Sequence, residues 1–289
     1  PATVVSTSGI KLSPPIYDFA GNVFIGSQSG AAGVGGKLHK IDASNGTVTS
    51  SAKLAIDNSS GVLSSPMLDP STKQVYAFVF DDGTAGDGTT CTVLAGNNDG
   101  CRTIIQFRTD TFSAGSAGAK TFIGRGNDTS TNKTSVLYSG MFDDAYYNSA
   151  DGTGFMYIVG GRTNNTDYGT LWKIPVTAGV LGTPVNGLEF TSAFAIDASL
   201  SPLTLIKNGS NEYLYFSTPA NGNAAGCNGA CLYMVNLADL NGSAAGTGAA
   251  WGNTNAASAG LPVYGGTGGI VIDNISGTAG TSQVYFSHV

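Results

Sequence analysis

Ser65-Pro-Met-Leu-Asp69, followed after a polar turn by Val75-Tyr-Ala-Phe-Val79, is the stretch on which the fold turns. A small residue and a proline lead into an apolar pair and an aspartate. A run of β-branched and aromatic residues comes next. Such a run, bounded by turn residues and too short for a helix, reads as a strand buried on both faces. Asp69 and the residues after it suit a tight turn, so the two runs form an antiparallel pair.

The unit recurs. Ser13-Pro-Pro-Ile-Tyr-Asp18 leads to Val23-Phe-Ile-Gly26, Ser139-Gly-Met-Phe-Asp143 to Phe155-Met-Tyr-Ile-Val159, and Ser201-Pro-Leu-Thr-Leu205 to Tyr213-Leu-Tyr-Phe216. Gly268-Gly-Ile-Val-Ile-Asp273 leads to Val284-Tyr-Phe286. With Pro15, Pro66, Gly140, Pro202 and Gly269 as markers, the intervals are 51, 74, 62 and 67 residues, so the motif is fixed while the loops vary. A third run follows in the first four units: Lys37–Ile41, Thr103–Phe107, Thr170–Ile174 and Cys231–Val235. Fourth-strand candidates are Ser51–Ala55, Lys120–Ile123, Gly187–Phe190 and Ala249–Trp251. No helix of ten or more residues is expected between them.

Four strands per unit, repeated radially, predict an all-β fold: a β-propeller of four-stranded antiparallel blades over residues 1–289. The blades start near residues 13, 65, 139, 201 and 268, which makes five; hidden strands or truncation would make six or seven. Ala2-Thr-Val-Val-Ser6 is placed to complete the last blade, because an open ring exposes sheet edges. Cys91 with Cys101 and Cys227 with Cys231 each fall between the second and third runs of their units, and are read as two local disulfides.

Val23-Phe-Ile-Gly-Ser27 with Lys37-Leu-His-Lys-Ile-Asp-Ala-Ser-Asn-Gly-Thr-Val48 resembles a blade of the quinoprotein-like (PQQ-like) and YVTN-type bacterial β-propellers. The resemblance implies a propeller and an exported protein. It does not extend to quinone chemistry: Thr49-Ser-Ser51 stands where those enzymes carry a blade-docking tryptophan, and no adjacent cysteines are present. A quinone-dependent dehydrogenase is thus the remotest of the readings.

Composition narrows the partners. Charged residues make up 11% of the chain, well under half the usual share of about 25%. Thirteen scattered basic residues and a net charge of −6 exclude a nucleic-acid partner. No apolar stretch is long enough to cross a bilayer as a helix. The chain opens on Pro1-Ala-Thr-Val4, as a mature exported form or a fragment would. Paired cysteines and eight sequons, at Asn45, Asn58, Asn127, Asn132, Asn164, Asn208, Asn241 and Asn274, place it outside the cell or on its surface if the source glycosylates.

Candidate chemistry is sparse. Asp18, Asp69 and Asp143 end first strands, and Asp273 lies nearby in the fifth unit. They could gather at one channel mouth and bind Ca²⁺, or each could cap the turn that follows. Asp81, Asp82 and Asp87 lie in an Asp-Gly-rich stretch with the same two readings. His39, mid-strand, reads as a strand-face residue, and no G-x-S-x-G elbow accompanies it. Tyr146, Tyr147 and Tyr168, near long loops, could stack on sugar rings or pack the loop bases.

The expected function is a binding and assembly scaffold, with other copies of the chain or a surface protein or glycan as partner. The alternative is a Ca²⁺-dependent hydrolase or lyase using the channel-mouth aspartates. No cofactor is expected other than Ca²⁺ in that case.

Overall fold

The computed structural model describes residues 10–29, 36–56, 61–84, 86–92, 100–126, 136–161, 169–189, 201–219, 227, 229–237, 257–263, 265–273 and 283–288. The first sheet has the spatial order β1 (Ile16–Tyr17), β2 (Asn22–Gly26), β3 (Leu38–Asp42), β4 (Val48–Ser50). The second repeats it with β5 (Met67–Asp69), β6 (Gln74–Val79), β7 (Cys101–Arg108) and β8 (Ala119–Arg125). In the third, β9 (Met141–Phe142), β10 (Gly154–Gly161) and β11 (Gly169–Thr177) are followed by β12 (Val180–Leu181) and β13 (Val185–Glu189), both paired to β11. The fourth holds β14 (Thr204–Asn208), β15 (Asn211–Thr218), β16 (Cys231–Asn236) and β17 (Ala257–Pro262), and β18 (Thr267–Asp273) pairs with β19 (Gln283–His288) in a fifth. All these pairings are antiparallel, across short turns such as β5–β6 and long connections such as β6–β7 alike. The fold is all-β, built of antiparallel sheets, three of them four-stranded among the described residues.

Burial explains why the second strands read as unbroken apolar runs. Every residue of β6 is buried. Val75, Ala77 and Val79 face the first sheet and share a core with Phe24, Leu38, Ile105 and Phe107. Tyr76 and Phe78 face the third sheet, against Phe142, Met156, Ile158 and Trp172. Side chains of this size each contribute about 1.5–3 kcal/mol on burial. The third sheet turns Tyr157, Val159 and Leu171 to Leu214, Phe216, Tyr233 and Val235 of the fourth. Leu232 and Tyr215 of the fourth then meet Ile270, Ile272, Val284 and Phe286 of the fifth. Each sheet therefore packs on the next in chain order.

The small residue that heads the first and fourth units has a mechanical role. Ser13 Oγ accepts the Gly26 N–H at 2.8 Å, and Ser201 Oγ accepts the Ser217 N–H at 2.8 Å; both serines are buried. The entry to the first strand is thus tied to the end of the second in these two units. Between the second and third sheets the backbones nearly touch. A Cβ on Gly160 would lie 2.2 Å from the Ile123 carbonyl oxygen, so only glycine fits there.

Several boundaries depart from those read in the sequence. The fourth strand of the first sheet is Val48–Ser50 and not Ser51–Ala55, because β3 pairs with Val48, Thr49 and Ser50. The fourth strand of the fourth sheet is Ala257–Pro262, held by its pairing with β16; Ala249–Trp251 lies outside the described residues. A five-residue helix, α1 (Asp144–Asn148), stands between β9 and β10 where only a turn was expected. Ala2–Ser6, the expected partner of the last sheet, also lies outside the described residues. Both disulfides form, Cys91–Cys101 and Cys227–Cys231, and no described cysteine is free.

Phe19, in the β1–β2 turn, has φ of 56° and is 79% exposed. Bulky side chains rarely adopt that conformation. It is held because Asp18 Oδ1, just before it, accepts the Ala20 and Asn22 N–H groups just after it, at 2.9 and 2.7 Å. Phe19→Asn keeps the turn and removes the strain, since asparagine tolerates left-handed backbone. It should raise unfolding stability by about 0.5–1 kcal/mol. A lower urea midpoint for the variant would refute this.

Candidate functional site

Three of the four aspartates considered for a calcium ring accept hydrogen bonds from the residues that follow them. Asp18 accepts the Ala20 and Asn22 backbone N–H groups and the Asn22 side-chain amide. Asp69 Oδ1 takes the Ser71 N–H at 2.9 Å and its hydroxyl at 2.6 Å, while Oδ2 takes the Thr72 hydroxyl and the Tyr146 hydroxyl, the latter at 2.5 Å. Asp143 caps α1, accepting the Tyr146 N–H at 2.9 Å and the Phe155 N–H at 3.0 Å. Asp273 ends β18 and is exposed.

The Asp-Gly stretch behaves alike. Asp81 accepts the Gly83 and Gly100 N–H groups, and Asp87 those of Thr89, Thr90 and Cys91. Asp82 accepts from Thr84 and Cys101 and pairs with Lys120 at 2.8 Å. Among the described residues no group of three or more His, Cys, Asp or Glu side chains is arranged to hold a metal ion. Asp18, Asp69, Asp81, Asp82, Asp87 and Asp143 each accept a backbone N–H from a residue two to four positions on.

What does converge is an aromatic cleft of about 540 Å³. Ile16 of β1, Met67 and Asp69 of β5, and Met141 and Phe142 of β9 line it, so the first strands of three successive sheets reach one cavity. Pro66 and the helix α1 close its sides, with Tyr146 and Tyr147 on the wall. Phe142 and Tyr146 stack at 3.8 Å between centroids, 7° from parallel. Tyr147 stands edge-on to both rings, at 6.1 and 6.0 Å.

The two tyrosines, neighbours in sequence, have opposite fates. Tyr146 is 5% exposed and its hydroxyl is sealed against Asp69, so it packs the base of the helix; Tyr147 is 63% exposed. Tyr168 lies outside the described residues. Burial alone would raise the Asp69 pKa, but the hydrogen bonds from Ser71, Thr72 and Tyr146 outweigh it and hold the carboxyl below its ordinary value. Burial and the bond to Asp69 push the Tyr146 hydroxyl far up. Asp69 is therefore an ionised anchor, and Tyr146 a donor that keeps its proton.

His39 is buried on β3, its Nδ1 2.8 Å from Ser50 Oγ and its Nε2 3.0 Å from Ser27 Oγ. Burial, and then the charge of Lys37, pushes its pKa down to about 4. A neutral imidazole walled in by two serines is a strand-face residue, away from the cleft lining. Of the sequon asparagines, Asn45 is exposed in the β3–β4 turn and Asn208 at the end of β14, and the other six lie outside the described residues. No described helix is long and apolar enough to cross a membrane. The two disulfides fit an oxidising, extracellular compartment.

No family model matches the chain, and no curated protein matches it. Eight solved chains do. One is the crystal structure of a polysaccharide lyase, 13% identical with a TM-score of 0.38; the match covers 81% of this chain and 53% of that one. The chain thus spans about half the length of that enzyme. A likeness so distant carries no chemistry across.

Proposed function

We propose that the chain is an exported β-propeller of five sheets, with repeats of the quinoprotein-like type, and that it works as a binding and assembly scaffold. The cleft carries this reading: first strands from three successive sheets line one cavity, as strands arranged around a common axis would. Face-to-face packing of the sheets in chain order supports the same arrangement. Asp69 and Asp143 hold turns and a helix cap, which favours binding over acid–base work at this site.

Assembly is supported at the fifth sheet, where the described residues leave the ring unclosed and no first-sheet residue covers the outer face. One face of β18 and β19 packs on the fourth sheet, while the other exposes Val271 and Tyr285, 64% and 52% accessible. With charged residues at 11% of the chain, little repulsion opposes contact between copies. Light scattering across a concentration series, with electron microscopy of the same samples, should show oligomers that Val271→Lys dissociates. A species that stays monomeric throughout would overturn the assembly reading.

A further inference from the structure

We infer that the cleft binds an uncharged carbohydrate, with the exposed ring of Tyr147 stacked on one sugar face. The inference rests on the binding reading above and gives it a ligand class. Sugar rings have apolar C–H faces and hydroxyl rims, so a site for them needs a fixed aromatic platform beside polar groups.

The platform is Tyr147. Its ring meets Phe142 and Tyr146 at interplanar angles of 88° and 86°, and Phe142 and Tyr146 are themselves stacked and buried. The Asp143 cap fixes the helix that carries it. An aromatic side chain positioned in this way loses little freedom when a ligand arrives. Ser65, Ser139 and Ser149 add polar residues to the lining, and the volume lies within the usual range of about 300–1,000 Å³ for small-ligand sites.

Charge selects among ligands. Among the described residues no lysine, arginine or histidine lines the cleft, so a uronate or sulfated sugar would surrender its hydration without gaining a counter-charge from them. Asp69, the carboxylate in the lining, already accepts from Ser71, Thr72 and Tyr146 and offers little to a cation. A peptide adding itself as a strand is disfavoured too. The edges that face the cavity, β1, β5 and β9, are two or three residues long, and Pro66 and Pro70 flank β5. What remains is neutral, hydroxyl-rich and partly apolar.

Isothermal titration of the intact protein with cello-, laminari- and manno-oligosaccharides, beside oligogalacturonate, tests the inference. At least one neutral series should bind and oligogalacturonate should not. Tyr147→Ala should weaken binding about tenfold or more, on the scale of a lost aromatic anchor. Tyr147→Phe should retain it, because the ring does the work. Unchanged circular dichroism is expected for both variants, since the side chain is exposed. Binding of oligogalacturonate alone, binding of nothing, or full affinity in Tyr147→Ala would overturn the proposal. Light scattering on the same samples separates the two readings: assembly without sugar binding removes this inference and leaves the scaffold, and sugar binding by a strict monomer does the reverse.

Discussion

Trp172→Ala is expected to lower the unfolding free energy by about 3–5 kcal/mol, the range for emptying a fully packed indole site. Trp172 is 2% exposed, in the core shared by the second and third sheets. Its indole lies over Gly160 and Gly161 of the neighbouring strand and donates to the Gly161 carbonyl at 2.9 Å. A Cβ on Gly160 would come within 2.9 Å of the indole as well as striking Ile123, so glycine leaves the room that tryptophan fills. Truncation opens a cavity and also removes the donor to a buried carbonyl. Trp172→Phe restores most of the volume without the donor, and should fall between wild type and the alanine variant. Urea unfolding with an unchanged slope reads the difference as a shift of midpoint. A midpoint for Trp172→Ala close to that of the parent would mean that the sheets do not meet there.

A second large effect is set by pH. His39 titrates near 6.5 in the unfolded chain and is pushed down to about 4 in the folded one. Its contribution is therefore complete above pH 6.5 and is lost as pH falls to 4, because over that window the unfolded state binds a proton that the folded state refuses. At about 1.4 kcal/mol per pH unit the upper value is about 3 kcal/mol. Partial solvent screening brings the expectation to about 2 kcal/mol. His39→Gln should flatten the urea midpoint across this window. Below it, Asp69 and Asp87 take over: both are held under the ordinary carboxylate value of 3.8, so their share is present above it and disappears as they protonate. A parent midpoint that stays level between pH 6.5 and pH 4 would show that His39 is not sequestered.

How much of this was legible without coordinates depended on whether a strand has one covered face or two. The second strands of the second and third sheets touch neighbours on both sides, so β6 and β10 are dense in Val, Tyr and Phe and announce themselves. Outer strands do not. Val48-Thr-Ser50 is half-buried at every position, and Ala257–Pro262 holds no β-branched residue; each is a strand because of what it pairs with. The cleft was harder still. Met67 and Met141 belong to apolar pairs that read as core, and nothing local says that one member faces a cavity. Tyr146 and Tyr147 differ only by the rotation of one helical step, and a helix of five residues is too short to leave a periodic trace. The aspartates were visible as residues, but the choice between ring and turn depended on donors placed by the backbone.

The division of β6 between two neighbours bears on what the chain can tolerate in evolution. Even and odd positions serve cores of different bore: Val75, Ala77 and Val79 on one side, Tyr76 and Phe78 on the other. Inserting a single residue in the strand would swap the sets, driving rings into the narrow side and leaving the wide side underfilled. Length changes are therefore filtered by parity inside a strand and nearly free between strands. A lineage of this chain should drift in its connections while its central strands keep count.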